Sequence, residues 1–445
     1  MDMVKTTDSR VSDGDMPELL EEWKIIGFEK CFEFLPNNTL SRADMSIAGS
    51  VGNIHYGDIL VNYGEILDCS KESIPYLRPE VKMNHGFLKD GDLVIADTAE
   101  DITVGKATEI INIGNRLIVS GLHTLPCRPV AGGFAPKFLG YFINSQVFHE
   151  QLLPYITGTK VSAISKSSLK KTFIVVPSKK EQKAIAGVLS EMDALIDSTG
   201  ELLAKKQAIR DGMMEDLLTG KKRLPGFEGS GKTVVTDIGE LPEEWEVKNI
   251  GEVSSLFSGG TPSTYIKDFW DNGDIPWMSS GEINKSIIFS TDKKITKLGY
   301  DSCNTCMLPP GTDFIAMAGQ GKTRGKVAIT KISLCSNQSL CAIVVNRTVN
   351  SLYLYFYLKT QYQNLRNISS GDSSRGGLNL SLIKSYFIPV PCIEEQKAIA
   401  SVLSEMDEEI GVLKERLQKY RQIRDGMMDD LLTGRRRLPG FGNGR

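Results

Sequence analysis

A stretch of 51 residues is spelled twice in this chain, and few folds accommodate that. Pro177 to Phe227 (PSKKEQKAIAGVLSEMDALIDSTGELLAKKQAIRDGMMEDLLTGKKRLPGF) returns as Pro391 to Phe441 at a constant offset of 214, with roughly 33 of 51 positions identical. Two copies are too few for a solenoid and point instead to two equivalent halves. In the first copy Ile185, Leu189, Met192, Ile196, Leu203, Met213 and Leu217 follow an alternating four-and-three spacing. Ile399, Leu403, Met406, Ile410, Leu417, Ile423, Met427 and Leu431 do so in the second. That spacing predicts a narrow helical seam rather than a broad globular face. A proline opens each copy and Thr-Gly closes it, at 219–220 and 433–434, which are helix stop signals. About 38 residues between them give a rod on the order of 57 Å. A seam needs a partner, and the second copy supplies one, so the two helices are expected to pair antiparallel.

The rest of the chain repeats the same order. A polar leader (1–16) precedes a first globular region (17–176), a helix (177–220), a linker (221–240), a second globular region (241–390), a second helix (391–434) and a tail (435–445). Both regions open on a tryptophan, in PELLEEW (17–23) and LPEEW (241–245). Both carry short strand-like runs, at 59–64, 92–97, 116–121 and 172–177 in the first and at 313–318, 326–330, 341–346 and 386–391 in the second. Helical pieces are expected near 137–152 and 352–365. The fold class read from this pattern is α+β, two globular domains joined by two closely similar helices in an antiparallel coiled coil with pseudo-two-fold symmetry. The heads have diverged far more than the rods, as in a frame that holds two different readers.

Composition excludes several functions. No apolar run approaches the roughly 20 residues of a membrane span, and the acidic, polar start is unlike a secretory signal. Eight scattered cysteines lack a disulfide spacing and fit a reducing, cytoplasmic setting. Cys303 and Cys306 form the single CxxC, with no second pair to complete a zinc site. Histidine occurs only at 55, 85, 123 and 149, so a catalytic histidine could not be duplicated in the second half. Gly226–Thr233 reads GFEGSGKT, a P-loop pattern, and Ala316–Thr323 a looser one. A working P-loop joins a strand to a helix, and neither context is present, so a nucleotide-hydrolysing protein is the weaker reading. A coiled-coil scaffold for other proteins is a third. No carboxylate cluster or methylation motif marks a catalytic centre, and no metal or cofactor is assigned to the chain.

Net charge is −3, unusual for a free nucleic-acid binder, but charge is local. Residues 151–180 contain six lysines and no acid, and 364–380 contain Arg366 and Arg375 against Asp372. Two divergent domains, each closed by an IPVP-like run and an EQKAIA(G/S)VLSEMD helix that ends RDGMM(E/D)DLLTG and then RLPGF, resemble the specificity subunit of type I restriction-modification enzymes. The resemblance covers about Pro17 to Phe441. It implies two target-recognition domains, each reading half of a split double-stranded DNA sequence, with the helices as spacer. It further implies two methyltransferase subunits carrying S-adenosylmethionine, and restriction subunits using ATP and Mg for translocation and cleavage, around a chain that is itself non-catalytic. Loop position and chemistry then nominate Thr159, Lys160, Ser162, Ser165 and Lys166 in the first domain as DNA contacts. Thr261, Ser263, Lys322, Arg324, Ser373, Ser374 and Arg375 are nominated in the second, where GGTPST (259–264) resembles a recurring family loop.

Overall fold

The computed structural model describes residues 22–441 apart from 85, 131–132, 159, 320 and 369–376. It divides into two compact units, one of Met1–Gly200 with Arg416–Arg445, the other of Glu201–Glu415. Each duplicated helix therefore gives its first half to one unit and its last half to the other. The helices span Lys179–Leu218 and Ile393–Thr433.

Both units are built on one plan. The chain enters each head along a short strand that pairs antiparallel with the strand leaving it: Lys24–Gly27 with Phe173–Val176, and Glu246–Asn249 with Phe387–Val390. Pro389 is tolerated because this ribbon has only two strands, so its missing N–H faces no further partner. A five-stranded sheet follows. In the first unit its order is Phe32–Phe34, Thr124–Pro129, Leu93–Ala96, Ala107–Ile111, Ile66–Asp68. In the second it is Ser254–Ser258, Leu340–Val345, Asp313–Ala316, Val327–Thr330, Ile287–Ile288. The central hairpin turns back through Gly105 (φ 93°) and Gly325 (φ 84°), whose N–H groups donate to Ala96 O and Ala316 O at 2.9 Å. A positive φ with this bond suits glycine at both places, and a lysine, Lys106 or Lys326, follows each. A smaller sheet lies beside it, centred on Val51–Ile54 in one unit and Ile275–Met278 in the other, each paired in parallel with Leu117–Ser120 or Cys335–Ser336.

One expected strand is a helix. The first half of 59–64 lies within the helix Tyr56–Val61, started by His55, whose Nδ1 accepts from Gly57 N–H at 3.1 Å, and the second half follows its end. Ile59 and Tyr63, four apart, are buried, whereas Val61 is exposed; the apolar period is helical, and the short run hid it. The helical pieces near 137–152 and 352–365 each break in two, as Phe138–Ile143 and Gln146–Leu152, and as Ser351–Thr360 and Tyr362–Asn367. The P-loop matches lack their context. Gly226–Thr233 runs into the hairpin of Thr233–Thr236 and Gly239–Pro242, and carboxylates already hold its N–H groups, Glu228 at Gly226 (2.9 Å) and Glu244 at Ser230 (2.6 Å).

The long helices close each head's core from both ends of the repeat. Ile185 and Leu189 join Met428, Leu431 and Leu432 in the first core. Ile399 and Leu403 join Met214, Leu217 and Leu218 in the second. Ile410 and Leu417 are also buried, while Met192, Ile196, Leu203, Met213, Met406 and Met427 are half-buried. Ile423, expected at an inward position, is 40% exposed. The inward place at that turn is taken by Arg424, seven residues after Leu417 and seven before Leu431, which pairs with Asp193 (3.0 Å) and Glu65 (2.6 Å). Arg210 stands at the equivalent place in the first helix and pairs with Asp407 at 3.3 Å.

Candidate nucleic-acid interface

The best-defined polar constellations in this chain are structural, and they come in pairs. Glu181, 1% exposed, receives Arg437 through two bonds of 2.8 Å and the Trp23 indole N–H at 3.1 Å. Glu395, also 1% exposed, receives Arg223 at 2.5 and 2.8 Å and the Trp245 indole at 3.1 Å. A buried carboxylate survives only when such donors replace its water, and the guanidinium fork matches both oxygens. The next residue repeats as well: Gln182 accepts from Ala135 N–H and Gln396 from Asn350 N–H, both at 2.8 Å. These contacts account for the Glu-Gln of each helix start, the tryptophan opening each head and the Arg of each RLPGF.

Several of the nominated loop residues lie at or beside the tip of a central hairpin. In the first head, Ser162–Ala163 pairs with Thr98–Ala99 of that tip, and Ile164 N–H donates to Asp97 O at 2.9 Å. Ser165 caps the turn Lys166–Leu169, accepting from Ser168 N–H at 3.1 Å. Lys166 lies over the Phe34 ring (5.4 Å to its centroid), and Lys160 is exposed. Thr159 lies outside the described residues. The same surface holds His123, in a left-handed conformation (φ 55°), 3.3 Å from Asp97 and edge-on to the Tyr56 ring. His123, which the sequence did not nominate, thus belongs to this surface. Burial and the Arg42 charge hold the neighbouring His55 below the usual imidazole range, so it stays neutral and accepts its capping bond.

In the second head, Thr261 Oγ1 donates to Gln338 Oε1 at 2.6 Å. Gln338 lines a cleft of about 720 Å³ with Gly319, Arg324, Ser339, Asn379 and Ser381, so Thr261 and Arg324 converge on it. Lys322 is exposed while its carbonyl accepts from Tyr362. Arg366 is turned inward, donating to Gly321 O and Arg324 O and thereby holding the tip. Ser263 is exposed, its carbonyl accepting from the Trp270 indole at 3.0 Å. Ser373, Ser374 and Arg375 lie outside the described residues.

Sequence reasoning missed the first-head partner of the GGTPST loop. Gly260 N–H donates to Ser336 O, and Asn38 N–H donates to Ser120 O, at equivalent places in the two small sheets. This aligns Asn37-Asn38-Thr39-Leu40-Ser41 with Gly259-Gly260-Thr261-Pro262-Ser263, placing the exposed Thr39 opposite Thr261. The signal, an x-x-Thr-x-Ser shared by NNTLS and GGTPS, is too short to trust without the hydrogen bonds. The tips themselves differ in sign: residues 97–106 carry Asp97, Glu100 and Asp101 against the single Lys106, whereas 317–326 carry Lys322, Arg324 and Lys326 and no acid.

A family model described as the type I restriction modification DNA specificity domain matches residues 47–205 and again 242–420. The chain belongs to that family. Among relatives, a putative type I restriction enzyme MjaX specificity subunit of Methanocaldococcus jannaschii is 24% identical over 441 residues, 95% of this chain and 96% of its own. The MjaIX specificity subunit of the same organism is 38% identical over 178 residues, 39% of this chain and 40% of the relative. The crystal structure of a type I restriction-modification S subunit from M. genitalium shares the fold, with a TM-score of 0.58 at 16% identity, covering 93% of this chain and 96% of that one. Among the described residues no group of three or more His, Cys, Asp or Glu side chains could hold a metal, and no helix is long and apolar enough to cross a membrane.

Proposed function

We propose that this specificity subunit reads a bipartite double-stranded DNA target, one half-site per head. The observation that carries the reading is that one frame, with matched hairpins, glycines and strand registers, presents tips of opposite sign. Carboxylates accept from cytosine N4, whereas Arg and Lys donate to guanine O6 and N7, so such tips suit different base sequences. Lys160, Ser162, Ser165 and Lys166 in the first head, and Thr261, Ser263, Lys322 and Arg324 in the second, are the contacts assigned here, joined by Thr39 and His123.

The two long helices serve as the spacer, paired antiparallel. Supporting this, partner numbers fall as helix numbers rise within each unit: Glu181 with Arg437 and Asp193 with Arg424 in one, Lys206 with Glu409 and Arg210 with Asp407 in the other. Arg210–Asp407 and Asp193–Arg424 are the same pair exchanged at offset 214, as are Arg223–Glu395 and Glu181–Arg437, which is the relation a pseudo-two-fold axis produces. At 1.5 Å per residue, helices of this length span on the order of 60 Å, beyond the roughly 34 Å of one DNA turn. The helices also dock two methyltransferase subunits that use S-adenosylmethionine, and restriction subunits that use ATP and Mg join the assembly in the cytoplasm. This chain contributes recognition and no chemistry of its own.

Exchanging residues 17–176 for the corresponding domain of another family member, then mapping methylated adenines in host DNA, tests the proposal. One half of the methylated sequence should change and the other persist. An unchanged target, or a change in both halves, would overturn it.

A further inference from the structure

Of the most exposed large apolar side chains, Ile47 at 101%, Tyr265 at 96% and Val235 at 90% relative exposure, the first two fall in corresponding segments of the two heads. Both segments run from the strand that edges the large sheet to the central strand of the small one; in the first head Ile47 directly follows a two-residue strand, Met45–Ser46, that has no counterpart before Tyr265. Neither loop is loosely held. In the first head Asn38 donates to Ser120 O and accepts from Asn84 N–H (2.6 Å), and Ser41 and Asp44 form a capping box. In the second, the Trp277 and Trp270 indoles donate to Gly260 O and Ser263 O, at 2.9 and 3.0 Å.

Both loops end alike. Gly49 and Gly273 each stand two residues before the central strand and press onto the neighbouring one. A Cβ on Gly49 would meet Leu77 O at 2.7 Å, and one on Gly273 the Ile295 carbonyl carbon at 2.6 Å. The frame is thus the same, although Ile47 follows the short helical turn of its loop (Arg42–Asp44) and Tyr265 precedes its own (Lys267–Phe269).

We propose that Ile47 and Tyr265 are the wedges of the two readers, each inserted between adjacent base pairs of its half-site. The inference rests on the DNA-reading function proposed above and assigns it a residue in each head. A protein partner would be met by a contiguous apolar patch. Here Ile47 projects among small or polar neighbours, Ser46, Ala48 and Ser50, and Tyr265 projects from a loop with Ser263, Thr264 and Lys267, where Ile266 is exposed to 43% and Phe269 and Trp270 are half-buried. A base step accepts one such side chain, which unstacks the step and bends the duplex. Thr39 and Thr261 lie earlier in the same loops, where they face the flanking base edges. A branched aliphatic and an aromatic wedge reward different steps, so each adds to the specificity of its own half-site.

The test uses the full chain assembled with its methyltransferase subunits, on duplexes carrying the target mapped from methylated adenines, with 2-aminopurine placed at successive positions of each half-site. The wild-type assembly should show raised 2-aminopurine fluorescence at one step per half-site. Tyr265→Ala should abolish it in one half only and weaken binding about tenfold, the scale of one lost stacking contact; Ile47→Ala should do so in the other half. Tyr265→Phe and Ile47→Leu should retain both signals. Since both side chains face solvent, all four variants should unfold at the wild-type temperature. Alanine variants with wild-type fluorescence and affinity would overturn the wedges while leaving sequence preference intact, and so would variants that instead lose the methyltransferase subunits. A wild-type assembly without sequence preference would overturn the underlying function itself.

Discussion

Glu109 shows how a single buried carboxyl distinguishes the two heads. It faces Leu93 across the central hairpin of the first head, while at the matching pair of the second head the acid sits on the other strand, Asp313 opposite Ile329. Glu109 accepts from Lys137 N–H (2.6 Å) and Gly140 N–H (2.8 Å) at the start of Phe138–Ile143. Burial outweighs those bonds and raises its pKa from 4.5 to about 7. The folded protein therefore keeps a proton that the unfolded chain releases near pH 4.5. The corresponding stability is fully present below that pH and is lost as pH rises through about 7, amounting to about 3 kcal/mol. Urea unfolding from pH 5 to 8 should show this fall for the first head. Glu109→Gln should be less stable in absolute terms, since one amide loses its acceptor, yet its stability should vary less with pH; an unaltered slope would show that another group titrates. None of this was legible in the sequence, where Glu109 is one acid among 55 Asp and Glu residues and only the fold buries it.

At the scale of the element, the helices explain both what periodicity reveals and where it misleads. Leu403, Ile410, Leu417, Arg424 and Leu431 recur every seven residues, as do Leu189, Ile196, Leu203, Arg210 and Leu217. An apolar-only reading skips the arginine and picks its apolar neighbour Ile423 instead. A charged residue at one core position is a known way to fix register and direction at a cost in stability. The Asp193–Arg424 pair is largely withdrawn from water, with side-chain exposures of 30% and 15%. Arg424→Leu leaves Asp193 and Glu65 without their cation and should destabilise the first unit by about 3 kcal/mol. Ile423→Ala should change it by less than about 0.5 kcal/mol. Chemical denaturation monitored through Trp23 separates the two, and equal effects would mean that Ile423 packs in the seam. The duplication and the ribbon strands FIVV and FIPV were legible because each follows a local rule. The proposed contact surfaces were not, because within each head they depend on sheet registers, which place His123 beside the tip of the first head and Gln338 beside that of the second.

For the whole molecule, the consequence is that distance along the chain does not decide which part a residue stabilises. The first head's core includes Met428, Leu431 and Leu432, and its Glu181 is satisfied by Arg437, eight residues from the end of the chain. Removing residues 435–445 should therefore damage the first head, not the second, although the second precedes the tail in sequence. Loss of the arginine leaves a 1%-exposed carboxylate with only the Trp23 indole as side-chain donor, which should cost about 3 to 5 kcal/mol. Hydrogen exchange should report the loss as faster exchange in Leu93–Ala96 and Phe173–Val176, with Asp313–Ala316 and Phe387–Val390 unchanged. Arg437→Lys should recover part of the protection, since an ammonium keeps the charge but not the two-pronged fit. If exchange instead quickened in the second head alone, Glu181 would not depend on Arg437, and the reciprocal closure of each head by the other repeat would be refuted.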